Sequence, residues 1–254
     1  MTLHVHRFGP ADGRPLLALH GLSGHGARFA DLAGRLDGYR IIAPDLRGHG
    51  QSPVLPPWDL DRHVEDLLAV LDQYGLDRVP VVGHSLGGVL ALRLANAAPD
   101  RVDRVALLDP GTGMEPGRAM AAADRMAVDI SYADRAEARE DRIRNGWADV
   151  ADALVEAELD AHLERRDDGR WHWRYCRPAL IAVIGELSRP VPLPPAHVPT
   201  LLVVAGKAQV VQPAWRSACE RAVTDLTVVE LDCGHLVYYY RPAETAAHLA
   251  TFLG

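Results

Sequence analysis

The stretch Gly83-His84-Ser85-Leu86-Gly87 carries the chemistry of this chain. It is a G-x-S-x-G pattern preceded by the apolar, β-branched run Val79-Pro80-Val81-Val82. It is followed by Gly88-Val89-Leu90-Ala91-Leu92-Arg93-Leu94-Ala95, with apolar residues at helical spacing. A serine at a sharp strand-to-helix turn has a strained backbone and an exposed hydroxyl. The flanking glycines let neighbouring backbone pass where a side chain would clash. The turn also aims the Leu86 amide, and the positive end of the helix, at negative charge forming beside the serine. That is a setting for a nucleophile. His84 is expected to pack and hydrogen-bond locally.

The elements that must hold Ser85 are legible as alternating short β-like and helical runs. Residues 3–8 alternate as an edge strand does. Residues 16–19, 39–44, 79–82, 102–108, 200–205 and 226–231 read as buried strands. Residues 27–36, 60–74 and 242–253 read as helices. In the second of these, Val64, Leu67, Leu68 and Leu71 form one stripe, and Gly75 closes it. The pattern predicts an α/β fold with a doubly wound, mostly parallel sheet. Such sheets bind ligands at the carboxyl ends of their strands. His20, Asp45, Ser85, Asp109 and His235 all follow such an end.

One segment breaks the rhythm. Residues 112–195 contain amphipathic helical stretches rich in Ala, Arg, Asp and Glu. A hairpin is expected around Asp167-Asp168-Gly169, and a proline cluster ends the segment. The predicted organisation is a core of residues 1–111 and 196–254, with 112–195 inserted as a mainly helical cap. A cap over the strand ends would exclude water and shape a substrate pocket. Trp147, Trp171, Trp173 and Tyr175 are read as cap core in preference to pocket lining. Of Tyr238, Tyr239 and Tyr240, one could face the pocket while the others pack. Arg135, Arg139, Arg142, Arg144, Arg165 and Arg166 alternate with acids and read as a solvated helix face.

Length and composition bound the partners. A chain of 254 residues fits one large α/β domain with an insertion, and 48% hydrophobic residues suffice for a full core. A net charge of -7 argues against nucleic acid or an anionic membrane surface as partner. Three cysteines, Cys176, Cys219 and Cys233, without a C-x-x-C pair suggest reduced thiols, with neither a disulfide framework nor a zinc site. The first residues lack the apolar core of a signal peptide, and no apolar run reaches the ~20 residues of a membrane span. The expectation is a cytoplasmic protein that does not insert into membranes, with no cofactor and no metal. A homodimer is left open.

Together, His20-Gly21, Asp45-Leu46-Arg47-Gly48-His49-Gly50-Gln51-Ser52, Gly83-His84-Ser85-Leu86-Gly87-Gly88 and Gly234-His235 resemble the α/β-hydrolase fold family in its capped form. The resemblance covers nearly the whole chain. It implies Ser85 as nucleophile and His235 as its base, since a hydroxyl needs an adjacent base and imidazole exchanges protons near neutral pH. It places the oxyanion donors at the Leu86 and Leu22 amides. His20 then shapes the loop, and Asp45 anchors residues 47–52. In most members the acid follows the strand after the cap. Here that stretch reads Gly206-Lys207-Ala208-Gln209, with Ala208 where the aspartate is expected. Other members carry the acid after the strand that follows the nucleophile helix, where this chain has Asp109. The resemblance therefore implies the set Ser85, His235 and Asp109, acting on a small-molecule carboxylic ester, lactone or thioester. Alternatives are a catalytically weak ligand-binding protein, motivated by Ala208, or a carbon–carbon bond hydrolase or lyase.

Overall fold

Alternating side chains of a buried parallel sheet feed two cores, one on each face. The computed structural model describes residues 2–254. Its strands are β1 (Val5–Phe8), β2 (Arg14–Leu19), β3 (Tyr39–Pro44), β4 (Val79–His84), β5 (Val102–Leu108), β6 (Leu163–Arg165), β7 (Trp171–Trp173), β8 (Thr200–Ala205) and β9 (Leu226–Leu231). Seven of them form one sheet in the order β1-β3-β2-β4-β5-β8-β9. Only β1 runs antiparallel to its neighbour. Leu17, Leu19, Val81, Val105, Leu107 and Leu202 face one core. Their neighbours in sequence, Leu16, Ala18, Val82, Ala106, Leu108, Leu201 and Val203, face the other. This is the period-two geometry of a strand covered on both sides.

The helices are α1 (Ala30–Ala33), α2 (Leu60–Gln73), α3 (Leu86–Ala97), α4 (Pro116–Ala127), α5 (Arg135–Arg142), α6 (Asp152–His162), α7 (Arg177–Glu186), α8 (Pro213–Ala222), α9 (Val237–Tyr240) and α10 (Pro242–Leu253). Asp59 starts α2 by accepting the Arg62 N–H at 2.8 Å. Its stripe of Val64, Leu67 and Leu71 is buried against the core that also takes α3. Helix α10 sends Leu249 and Leu253 into the opposite core, alongside Phe29. None of these helices is long and apolar enough to cross a membrane.

Four strands, β3, β5, β8 and β9, and helix α10 have the bounds read from sequence. The helix expected over 27–36 is shorter. The chain makes a tight turn at Gly26–Phe29 and only one α-turn, α1. Gly26 N–H donates to Asp45 Oδ1 at 2.7 Å, which ties the start of the turn to the end of β3. Phe29 and Leu32 are thereby buried without a longer helix.

Between β5 and β8 the chain leaves the sheet and forms α4–α7 with the β6–β7 hairpin. The hairpin turns at Asp167-Asp168-Gly169 and pairs Leu163 with Trp173. This segment meets the core at loops that follow the carboxyl ends of strands. Gly50 N–H donates to Arg174 O at 2.8 Å, and Cys176 N–H to Gly48 O at 2.7 Å. Trp147 and Trp173 are buried, whereas Trp171 and Tyr175 are half-buried against Trp173 and Leu163. Most of the segment's arginines lie on exposed acid-paired faces, but Arg142 does not. It donates to buried Glu158 at 3.0 Å and lies 3.9 Å over the Trp173 ring. Its sequence neighbours alternate in charge, and only the tertiary fold brings Glu158 beneath it.

His20, His49, His63, His84 and His162 are buried, and burial holds each below the usual imidazole value of 6.5, His49 and His63 at about 4. The unfolded chain therefore binds protons near pH 6.5 that the native protein refuses. Their contribution to stability is complete above that pH and is lost as pH falls towards the native values. Denaturant midpoints measured from pH 7.5 to 4.5 are expected to drop steeply below pH 6.5, with uptake of more than one proton on unfolding. A flat profile between pH 7 and 5 would contradict this.

Candidate active site

Ser85 sits between β4 and α3 with φ 52° and ψ -114°, outside the conformations L residues favour. The elbow is held at both ends. Ser85 N–H donates to Leu108 O at 3.2 Å, and Ser85 O accepts from Gly111 N at 3.1 Å and Gly88 N at 3.0 Å. Gly87 is required by close approach, because a Cβ there would overlap the Leu19 carbonyl. The serine thus stands at the first turn of α3, whose leading amide, Leu86 N–H, has no intrahelical partner.

Asp109, fully buried at the end of β5, has a left-handed backbone with φ 46°. Its amide donates to Val203 O at 2.7 Å. Its two carboxylate oxygens have separate partners. Oδ1 accepts from Ala205 N at 3.0 Å, and Oδ2 lies 2.6 Å from His235 Nδ1. A carboxylate only accepts, so Nδ1 carries the proton in that bond and Nε2 is the free ring nitrogen when the imidazole is neutral. His84 packs at 4.6 Å from the His235 ring and bonds the His235 carbonyl at 3.0 Å. Burial and the nearby His235 keep the His84 imidazole well below its ordinary range, so it stays uncharged. Ala208 is half-buried and packs against the apolar core on one face of the sheet.

Ser85 and His235 line one cavity of about 120 Å³. The other walls come from Gly111, Gly113, Met114, Arg118, Leu187, Val210 and Gln212. Met114, Arg118 and Leu187 belong to the segment between β5 and β8. Thr112 pins the opposite wall, since its hydroxyl accepts Gln212 N–H at 2.7 Å. Ser85 Oγ and the His235 ring share the cavity without a direct hydrogen bond among the described residues, a bond that commonly tightens only when substrate binds. None of these wall residues outside Ser85 and His235 stands in a motif, and sequence reading passed over them. Tyr238 and Tyr239 are buried, and Tyr240 hydroxyl donates to Gly146 O; no tyrosine of the trio lines the cavity.

The turn after β2 lies against the serine: a Cβ on Gly21 would come within 3.0 Å of Ser85 Cβ. His20 shapes this turn. Its Nε2 accepts Leu46 N–H at 2.9 Å, so the ring proton is on Nδ1, which donates to Gly21 O at 2.8 Å. Gly24 N–H also donates to Gly21 O, at 3.0 Å. A trans peptide is planar, so fixing Gly21 O fixes Leu22 N–H in the opposite direction. Leu22 N–H has no protein acceptor among the described residues. Asp45 anchors the next loop, with Oδ2 accepting Gln51 N–H at 2.8 Å. Although burial opposes its charge, the bonds from His6, Gln51 and Gly26 hold its carboxyl well below the usual range.

The chain is similar to known proteins over nearly its whole length. The sequence model of the alpha/beta hydrolase fold matches residues 14–165. A protein of Mycobacterium tuberculosis named lipase LipV is 40% identical over 260 residues, covering 100% of this chain and 98% of that protein. The mouse sn-1-specific diacylglycerol lipase ABHD11 is 30% identical over 254 residues, covering 96% of this chain and 82% of its own. The solved structure of E-2-(acetamidomethylene)succinate hydrolase superposes with a TM-score of 0.86 at 22% identity, over 99% of this chain and 94% of that one, and speaks for the fold alone.

The His20 bonds lead to one expectation for spectroscopy. Correlation of imidazole nitrogens and protons from pH 8 to 6 should give His20 as the neutral Nδ1–H tautomer throughout. Burial, and then the neighbouring His49, depress its protonation. A His20 resonance that titrates near 6.5 would refute the assigned bonds.

Proposed function

Since the chain belongs to the α/β-hydrolase fold family, we propose that it is a serine hydrolase of small carboxylic esters. The observation that carries this reading is the Asp109–His235 contact of 2.6 Å beside the strained Ser85 elbow. The lipase names of two relatives that match over most of the chain support the ester as the bond cleaved.

Ser85 Oγ attacks the acyl carbon while His235 Nε2 takes its proton. Asp109 keeps the ring in the Nδ1–H tautomer and stabilises the imidazolium. The negative oxygen of the tetrahedral intermediate is held by the Leu86 and Leu22 amides, each worth about 3 kcal/mol of transition-state stabilisation. His235 returns the proton to the leaving alkoxide, giving the alcohol and an acyl-Ser85. Water then attacks the acyl group with His235 as base again, releasing the acid and restoring the serine. Residues 112–195 act as the lid, with Met114 and Leu187 as apolar walls that limit water at the acyl carbon. The alternative of a catalytically weak binding protein is motivated by Ala208, and the Asp109 carboxylate beside His235 supports the hydrolase reading over it.

The tests use p-nitrophenyl esters. Ser85→Ala should abolish turnover and labelling by a fluorophosphonate. Asp109→Asn should lower kcat by roughly 10³–10⁴-fold, as loss of the correct tautomer does. The narrow cavity predicts faster hydrolysis of acetate and butyrate than of palmitate esters. Turnover that survives Ser85→Ala sinks the serine mechanism, and full activity in Asp109→Asn sinks the acid assignment.

A further inference from the structure

The segment between β5 and β8 places one carboxylate deep inside the protein. Glu158, on α6, is 1% exposed. Arg28 grips both of its oxygens, Nε to Oε2 at 2.9 Å and Nη2 to Oε1 at 2.5 Å. His25 Nε2 lies 2.9 Å from Oε2, and Arg142 Nη2 donates to Oε1 at 3.0 Å. Arg28 and His25 are themselves buried, 4% and 3% exposed. Burial opposes both charges of the central pair, but their mutual attraction wins. Arg28 is held above its ordinary range and Glu158 well below it, so the pair is ionised.

Arg28 has a second role. The same Nη2 that meets Glu158 also donates to Ser23 O at 3.3 Å. Its Nη1 lies under the turn, 3.0 Å from where a Gly24 Cβ would stand. Ser23 has a left-handed backbone with φ 57°, which a serine holds only under constraint. Two buried side chains therefore flank Leu22. His20 holds the carbonyl before it, and Arg28 holds the carbonyl after it. Arg28 is in turn fixed by Glu158, 130 residues away on the inserted segment.

We propose that Glu158 and Arg28 are positioning residues: the inserted segment sets the Leu22 amide of the oxyanion site through this buried pair. The proposal rests on the ester-hydrolase reading above. Neither residue touches the reacting atoms. With Glu158 in place, Arg28 is held against Ser23 O and the turn keeps one shape. When the segment lifts, Arg28 loses its anion and the turn loses its clamp. The oxyanion donor is thus aligned when the segment is seated over the serine.

The test compares Glu158→Gln, Arg28→Lys and Arg142→Met with the wild-type chain. Three quantities are measured well below each melting temperature: kcat and KM on p-nitrophenyl butyrate, affinity for a phenylboronic acid, and the melting temperature. Boron adds Ser85 Oγ to give a tetrahedral anion that needs the oxyanion donors. Glu158→Gln and Arg28→Lys should lower kcat by about tenfold to a hundredfold, the scale of a sub-ångström to ångström misplacement. Boronate affinity should fall in proportion, with KM little changed. Arg142 meets Glu158 without touching the turn, so Arg142→Met should lower the melting temperature and keep kcat. Wild-type kcat and boronate affinity in folded Glu158→Gln would overturn the proposal. So would a loss in Arg142→Met equal to that in Glu158→Gln, which would mark the cluster as packing only. If Glu158→Gln does not fold, Arg28→Lys decides by the same readouts. Turnover that persists in Ser85→Ala would instead overturn the hydrolase reading itself.

Discussion

The Asp109 carboxylate joins two structural systems, and the site depends on how its oxygens are divided. One oxygen accepts from the Ala205 amide and ties the end of β5 to the end of β8. The other meets His235 at 2.6 Å. A buried carboxylate without partners would be costly, and here every oxygen has a donor. The backbone of Asp109 is bound as well, through its amide to Val203 O. A residue tied at three points can sustain a left-handed φ of 46° that it would not adopt freely. The histidine is then oriented by a group that has no freedom to follow it.

The same logic extends to Ser85. Its strained backbone persists because bonds from Gly111 and Gly88, and its own bond to Leu108 O, over-determine it. Leu108 is the last residue of β5, so Ser85 and the Asp109 carboxylate share one strand end as their reference. The turn after β2 abuts this unit through Gly21. Ser85, the carboxylate partner of His235 and the turn at Gly21 are therefore fixed relative to one parallel sheet. The walls from the inserted segment rest on loops and buried polar contacts.

Much of this was legible in the residues. Strands that end in continuous apolar runs, such as 102–108 with Val105 to Leu108 and 200–205 with Leu201 to Ala205, have no competing period there, and their bounds coincide with the structure. Residues placed just past those ends, Ser85, Asp109 and His235, converge because parallel strands share one carboxyl edge. The helix over 27–36 failed because periodicity cannot register that Asp45, a distant carboxylate, captures Gly26 N–H and tightens the turn. Arg142 was misread for the same reason, since local charge alternation hides a partner supplied by another helix. Glu158 and Arg28 carry no local signal either, being joined over 130 positions. Long-range polar contacts inside the protein are where sequence patterns are silent.

The place of Ala208 follows from strand geometry. Neighbouring strands of a sheet lie about 4.8 Å apart. An acid after β5 thus starts one strand away from an acid after β8, and must reach sideways to the same histidine. Asp109 has a left-handed backbone, and its carboxylate reaches the end of β8, where it accepts the Ala205 amide. Once that carboxylate occupies the Nδ1 side of His235, a second one after β8 would place two like charges against one imidazole. A small apolar residue at 208, half-buried against the core, is compatible with that arrangement. Under the proposed assignment, the alanine at 208 is the counterpart of a carboxylate supplied from the adjacent strand.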